Sequence, residues 1–430
     1  MLPLEQVAGL PAPETLTLHR LSTDLDPLTV ARAADPSERV AYFASGDVEL
    51  AGLGVAWSAP SGVDGDRFHL ADAELAEARL DPAAHLVVGF AFDPDRPGEL
   101  WDGFPPLALE LPELAVVRRE SVTELVVALR PGRSGAEVAA DWAHVTDPGP
   151  VRAHHPSELQ IEADPPAARY LEAVAEAVDD IRSNGLTKVV LGRSLVIRSD
   201  TPARPFDLMA ALAAEHPDAY RYALRRGEAA FVGATPELLV SLRDGLLASR
   251  PFAGTAPRGR NDAEDQALAG GLLASAKDRW EHRVMVDDII VRLEALVPSI
   301  SVSEPSVERL RYVQHLVTRI TGSVPPGTTV LGLSAALHPT PAVGGVPADQ
   351  ALAMIDKLEG LDRGWYAGGV GWVDGAGNGE VAVALRCALL RGTSAHLFAG
   401  SGIVADSIPE AELDETTWKF RALLRHLGES

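Results

Sequence analysis

Two pairs of acids stand three residues apart in segments with helical periodicity: Asp278 with Glu281, and Glu412 with Glu415. An i, i+3 spacing puts both carboxylates of a pair on one helix face. Two such faces turned toward each other would form an oxygen cage suited to a hard cation such as Mg²⁺. Solvated acidic faces are the ordinary alternative. A di-iron carboxylate site would need Glu-x-x-His, and none of the 12 histidines has a glutamate three residues before it.

Three other charges interrupt apolar runs. Lys188 opens KVVLGR. Burial lowers the pKa of an amine and can make it a general base near neutral pH. Glu237 lies in ATPELL, where apolar surroundings raise a carboxyl pKa and suit it to general-acid work. Arg386, in VAVALRCALL, offers the planar fork that captures a carboxylate. An edge-strand lysine, a surface glutamate and a structural ion pair are the competing readings. His315, in RYVQHLVTRI, reads first as a satisfied core histidine. GSGIVA at 400–405 imitates a dinucleotide-binding turn, but too little chain follows for the second parallel strand. No Gly-Lys-Ser or Gly-Lys-Thr occurs, so there is no phosphate-binding P-loop.

The surrounding chain must hold these groups. At 430 residues, 46% hydrophobic and 23% charged, it is globular and large enough for a sizeable core. One cysteine, Cys387, excludes an internal disulfide and multi-cysteine metal sites. No apolar run is long enough to cross a bilayer, and the start lacks a signal-peptide pattern, so a cytoplasmic protein is expected. A net charge of −23 argues against nucleic acid or an anionic membrane as partner. The 38 basic residues include only four lysines: Lys188, Lys277, Lys357 and Lys419.

Strands are expected at 84–92, 122–129 and 187–197, with a loop at 93–106 and a connector at 147–157. Residues 229–242 read as strand, turn, strand. The spacing predicts a helix from about 166 to Gly185 with Tyr170, Val174, Val178 and Ile181 inward. A second helix spans 275–296, with Trp280, Val284 and Ile289 inward, and a third closes the chain over 409–428. Residues 365–404 read as a three-strand antiparallel meander. The mixture is α+β, with largely antiparallel sheets stacked and helices outside. Residues 1–160 are taken as a variable N-terminal part of the same fold, and 161–430 as its catalytic core.

Together these segments resemble the chorismate-utilising enzymes, the family of isochorismate, salicylate, anthranilate and aminodeoxychorismate synthases. The motifs run in family order over roughly 165–428: KVVLGR, GATPELL, FAGTAPRG, KDRWEH, VQHL, YAGGVGW with ALRCA, and AGSGIV with PEAELDET. The resemblance implies Mg²⁺ as cofactor and chorismate as substrate. It makes Glu281 and Glu415 metal ligands, with Glu412 and Asp278 in support. It places Gly254, Thr255, His315, Tyr366, Arg386 and Gly402 around the substrate. Lys188 becomes the base that activates water for attack at C2, and Glu237 the acid that protonates the departing C4 hydroxyl. The implied activity is that of an isochorismate synthase, an isomerase serving menaquinone, siderophore or salicylate formation. Salicylate synthase and an aminating synthase are the alternatives. Lysine at 188, where aminating relatives resemble one another in carrying glutamine, favours water over ammonia. No amidotransferase subunit is therefore expected, and a monomer is the default.

Overall fold

The computed structural model describes residues 3–60, 66–95, 98–145, 147–309 and 313–428. Among them, strands form a 12-stranded, a 9-stranded and a 3-stranded sheet. Representative pairings in all three sheets are antiparallel. The architecture is α+β, with helices packed outside the sheets. None of the helices among the described residues is long and apolar enough to cross a membrane.

Both large sheets draw on both ends of the chain. In the larger one, Thr17–Ser22, Val40–Ala44 and Val122–Leu129 share hydrogen bonding with Lys188–Ser199, Ala229–Thr235 and Ser394–Ile403. In the smaller, His85–Phe90 pairs with Gly369–Asp374. The connector at 147–157 is thus a link running over a continuous sheet system.

Helix Ala167–Asn184 buries Tyr170, Val174, Val178 and Ile181 and ends at Gly185, whose φ of 77° is readily met by glycine. Helix Ala276–Glu294 buries Ile289 as expected and half-buries Val284, but it turns Trp280 outward. Its buried stripe is His282, Met285, Val286, Ile289 and Leu293, and Trp280 is 49% exposed. One polar position, His282, joins the apolar Met285 in carrying the 3.6-residue periodicity that Trp280 interrupts.

The 365–404 segment also differs from expectation. It forms two hairpins in different sheets. Gly369–Asp374 pairs with Gly379–Val383 in the 9-stranded sheet, and Cys387–Arg391 pairs with Ser394–Ile403 in the 12-stranded one. The chain crosses between sheets at 384–386. Arg386 therefore lies at the crossing and outside any strand, with a left-handed φ of 49°. Residues 229–242 cross in the opposite direction: Ala229–Thr235 belongs to the larger sheet and Leu238–Arg243 to the smaller.

Candidate active site

The two crossings lie side by side. The Ala234 amide donates to the Arg386 carbonyl at 3.2 Å, and the Val383 amide to the Glu237 carbonyl at 3.0 Å. This brings Glu237 and Arg386 to the seam where the two sheets part. Glu237 is 5% exposed. Burial pushes its carboxyl up to about 7, against the pull of the Lys188, Arg386 and Lys419 charges. A group held at that value is poised to exchange a proton near neutrality.

Arg386 borders a cavity of about 350 Å³ that Thr255, Glu415, Trp418 and Lys419 also line. Burial lowers its guanidinium pKa, and Glu415, Tyr366 and Glu237 pull the other way. A left-handed backbone costs a non-glycine residue roughly 1–2 kcal/mol. The neighbouring strand end repeats the device, since Ala367 beside Tyr366 has φ 62°. Strain of this kind persists only where the surrounding structure holds the backbone in place.

Tyr366 is buried and stacked on Phe398, with ring centroids 5.3 Å apart. Its hydroxyl lies over Gly400, where a Cβ would approach it to 2.8 Å. Burial holds the phenol above its ordinary range, so it serves as a neutral hydrogen-bonding group.

His315 stands on strand Val313–Val317, opposite Thr255. A bulge at Gly254, φ 71°, interrupts that pairing. The imidazole Nδ1 lies 3.1 Å from the Thr255 hydroxyl and 3.2 Å from the Gly254 carbonyl. Burial, with the Arg386 and Lys419 charges, pushes its pKa down to about 3. It is therefore a neutral donor or acceptor.

Lys188 begins strand Lys188–Ser199 and pairs with Val346 of the edge strand Gly345–Val346. It is 4% exposed, and its Nζ donates to Glu281 Oε1 at 2.7 Å. Both side chains cross the backbone of Gly402. A Cβ there would lie 2.7 Å from Lys188 Cε and 3.2 Å from Glu281 Oε1. Glycine at 402 is thus required by Lys188 and Glu281.

The remaining acids gather around the same strand end. Glu415 accepts from Lys419 at 2.6 Å, and Lys419 also donates to the Gly400 carbonyl at 2.8 Å. Burial opposes the Glu415 carboxylate, but Lys419 and Arg386 outweigh it and hold its pKa below the usual range. Glu412 is buried and bonded to the Ser407 and Ser401 hydroxyls; burial and the Glu415 charge raise its pKa. Ser401 is in turn 2.7 Å from the Tyr170 hydroxyl. Asp278 packs against Gly254, whose Cβ would come within 3.1 Å of it.

Among the described residues no group of three or more histidine, cysteine or carboxylate side chains is set to hold a metal ion. Glu281 and Glu415 are each engaged by a lysine. The donor chemistry nonetheless suits a hard cation. Glu412 is a buried carboxyl beside a second one, with only hydroxyls bonded to it. Such a group is relieved by a divalent ion with oxygen preference.

Sequence reasoning missed Lys419, which bonds both Glu415 and the Gly400 carbonyl. Its signal was present, since it is one of four lysines and stands four residues after Glu415. It also missed the buried Glu359–Arg363 pair beneath the Lys188 strand, whose i, i+4 spacing was the signal that could have found it.

The profile of the chorismate binding enzymes matches residues 4–428. The salicylate biosynthesis isochorismate synthase of Pseudomonas aeruginosa is 40% identical over 80% of this chain and 75% of its own length. Isochorismate synthase MenF of Bacillus subtilis is 34% identical over 84% of this chain and 78% of its own. The solved structure of MenF, the menaquinone-specific isochorismate synthase of Escherichia coli, superposes with a TM-score of 0.87 at 28% identity, covering 99% of this chain and 97% of that one. A family match over nearly the whole chain, with relatives 34–40% identical over at least four fifths of it, settles the membership: this protein belongs to the chorismate-binding enzyme family.

Proposed function

We propose that the protein is an isochorismate synthase. The observation that carries the reading is a pair of buried, oppositely equipped groups. Lys188 is an amine at one strand end, and Glu237 is a carboxyl held at about 7 at the sheet seam. Their relatives' names supply the substrate class.

Chorismate is a dianion, and a protein of net charge −23 must offset its own field locally. Arg386 captures one carboxylate with its planar fork, beside the hydroxyl groups of Tyr366 and Thr255. His315, neutral, orients Thr255 through Nδ1. Lys188 is the base that takes a proton from water as the water oxygen bonds to C2. The ring double bonds shift and the C4–oxygen bond breaks. Glu237 gives its proton to the departing hydroxyl, which leaves as water. One water enters and one leaves, so the reaction is an isomerisation. Proton exchange with solvent resets both groups.

Mg²⁺ held by Glu281, Glu415, Glu412 and Asp278 would supply positive charge against the ring carboxylate. The protein is further proposed to act as a monomer without an amidotransferase subunit. Lys188 supports this, because ammonia carries its own lone pair and needs no base.

The test is a time course with chorismate and Mg²⁺, without ammonia, followed by chromatography and salicylate fluorescence. Isochorismate should accumulate, and chelation with EDTA should stop turnover reversibly. Stoichiometric salicylate and pyruvate, or anthranilate on adding ammonia, would replace this reading.

A further inference from the structure

The connector RAHHP, residues 152–156, takes no part in the site above. With the start of helix Pro205–Glu215 and the end of the chain it lines a separate cavity of about 420 Å³. The charge of that cavity contrasts with the rest of the molecule. Arg152, His154, His155, Arg204, Arg425 and His426 line it, and Asp207 is its one acidic lining residue. Asp207 is already taken by Arg32 Nε at 2.8 Å. The nearby Asp200 is bonded by the Ser157 backbone and hydroxyl. Among the described residues neither Arg152 nor Arg204 forms an ion pair. A chain of net charge −23 that sets three arginines, Arg152, Arg204 and Arg425, around one concavity with a single lining carboxylate has built a local anion sink.

We propose that this cavity binds a small phosphorylated metabolite. Arg152, Arg204 and Arg425 line one space, and a guanidinium fork matches the oxygens of a phosphate group. The volume admits a molecule of metabolite size and excludes a polymer.

The cavity also touches the substrate site through one residue. Glu215 lines the 350 Å³ substrate cavity, and it is bonded by Arg425 and by His426 at 3.1 Å, both of which line the basic cavity. A bound phosphate competes with Glu215 for these two side chains. Occupancy of one cavity therefore changes the wall of the other, and the effect must be reciprocal.

Calorimetry with pyrophosphate, in Mg²⁺-free buffer at about 0.15 M ionic strength, tests the site directly. Saturable binding is expected. The double variant Arg152→Ala/Arg204→Ala should weaken it by roughly a hundredfold, as two charge-assisted bonds are lost. Its melting temperature and its turnover without pyrophosphate should match the parent protein, since neither residue supports the core or the substrate cavity. No saturable heat, equal binding by the variant, or citrate binding as tightly as pyrophosphate would overturn the assignment. A second arm measures the chorismate KM at constant free Mg²⁺ with and without pyrophosphate. This arm rests on the isochorismate reading, whereas the calorimetry does not. A shift of about fivefold or more, absent in the double variant, is expected. An unmoved KM alongside measured binding would refute the link through Glu215.

Discussion

Two glutamate–arginine sets lie buried in this protein, and they are treated in opposite ways. Beneath the Lys188 strand, Glu359 and Arg363 satisfy each other. Glu359 Oε1 accepts from Arg363 Nε at 2.6 Å, and Glu359 Oε2 accepts from the Gly192 amide at 2.6 Å. Arg363 spends its remaining donors on the Val343 and Val190 carbonyls at 2.7 and 2.8 Å. At the sheet seam, Glu237 and Arg386 feel each other's charge without bonding. The first set is closed, so its charges are spent on tying three chain segments together. The second is held open by backbone geometry, the left-handed φ of 49° at Arg386 included, and its charges stay available to a ligand. Burial alone does not distinguish a structural ion pair from a reactive one. The hydrogen-bond inventory does.

The sharpest break between the sets concerns turnover. Glu237→Gln should lower kcat by about 10²–10⁴, the usual cost of losing a general acid, and Lys188→Ala should do the same for the base. KM should change far less in both. In the parent protein kcat/KM should fall as pH rises through about 7, because the acid must carry its proton. Stopped-flow or chromatographic rates across pH check this. Near-native turnover of either variant would assign the chemistry elsewhere.

The closed set should answer in stability instead. Glu359→Ala leaves the Arg363 guanidinium buried without its partner, which costs about 3–5 kcal/mol. Denaturant titration should show that loss, with KM little changed in the folded fraction. A variant as stable as the parent would mean that the pair is not closed as described.

Glu237 should also show the reverse sign of stability effect. Its folded pKa of about 7 lies above the model-peptide value of 4.5, so the folded protein binds the proton more tightly than the unfolded chain. The contribution is fully present below about 4.5 and is lost as pH rises to about 7. Above that range the ionised carboxylate destabilises the fold by up to about 3 kcal/mol. Glu237→Gln should therefore raise the melting temperature at about pH 8 and leave it unchanged at about pH 4. A fold stabilised by losing a buried, unbonded carboxylate is what an open set implies.

Much of this was legible in the residues. Lys188, Glu237 and Arg386 announce themselves as charges inside apolar runs, and helix Ala167–Asn184 shows its buried face in its spacing. What the sequence hides is which sheet a strand joins. The crossings at 236–237 and 384–386 look like ordinary turns, because a chain changing sheets keeps the same alternation as one folding back. The inward face of the Ala276–Glu294 helix was hidden for another reason. His282 is buried there through a 2.7 Å bond to the Thr318 hydroxyl, a partner far off in the chain. The basic cavity was equally silent, since RAHHP meets its other cations only after folding.

The smallest effect separates the two arginines. Arg386→Lys keeps the charge but replaces a planar fork with a compact ammonium, so one carboxylate oxygen of the substrate loses its parallel bond. One charge-assisted hydrogen bond contributes roughly 1.5 kcal/mol or more, which is about a tenfold rise in KM. Stability should hardly move, because among the described residues the Arg386 guanidinium closes no ion pair. Arg363→Lys should invert this pattern. Its four bonds to Glu359, Val343 and Val190 cannot be matched by a lysine, so the melting temperature falls while KM holds. Measuring both quantities for both variants gives a crossed comparison that neither alone provides. If Arg386→Lys lost stability and kept its KM, the seam would be a second structural ion pair, and the carboxylate anchor would have to be sought among Thr255, Tyr366 and Lys419.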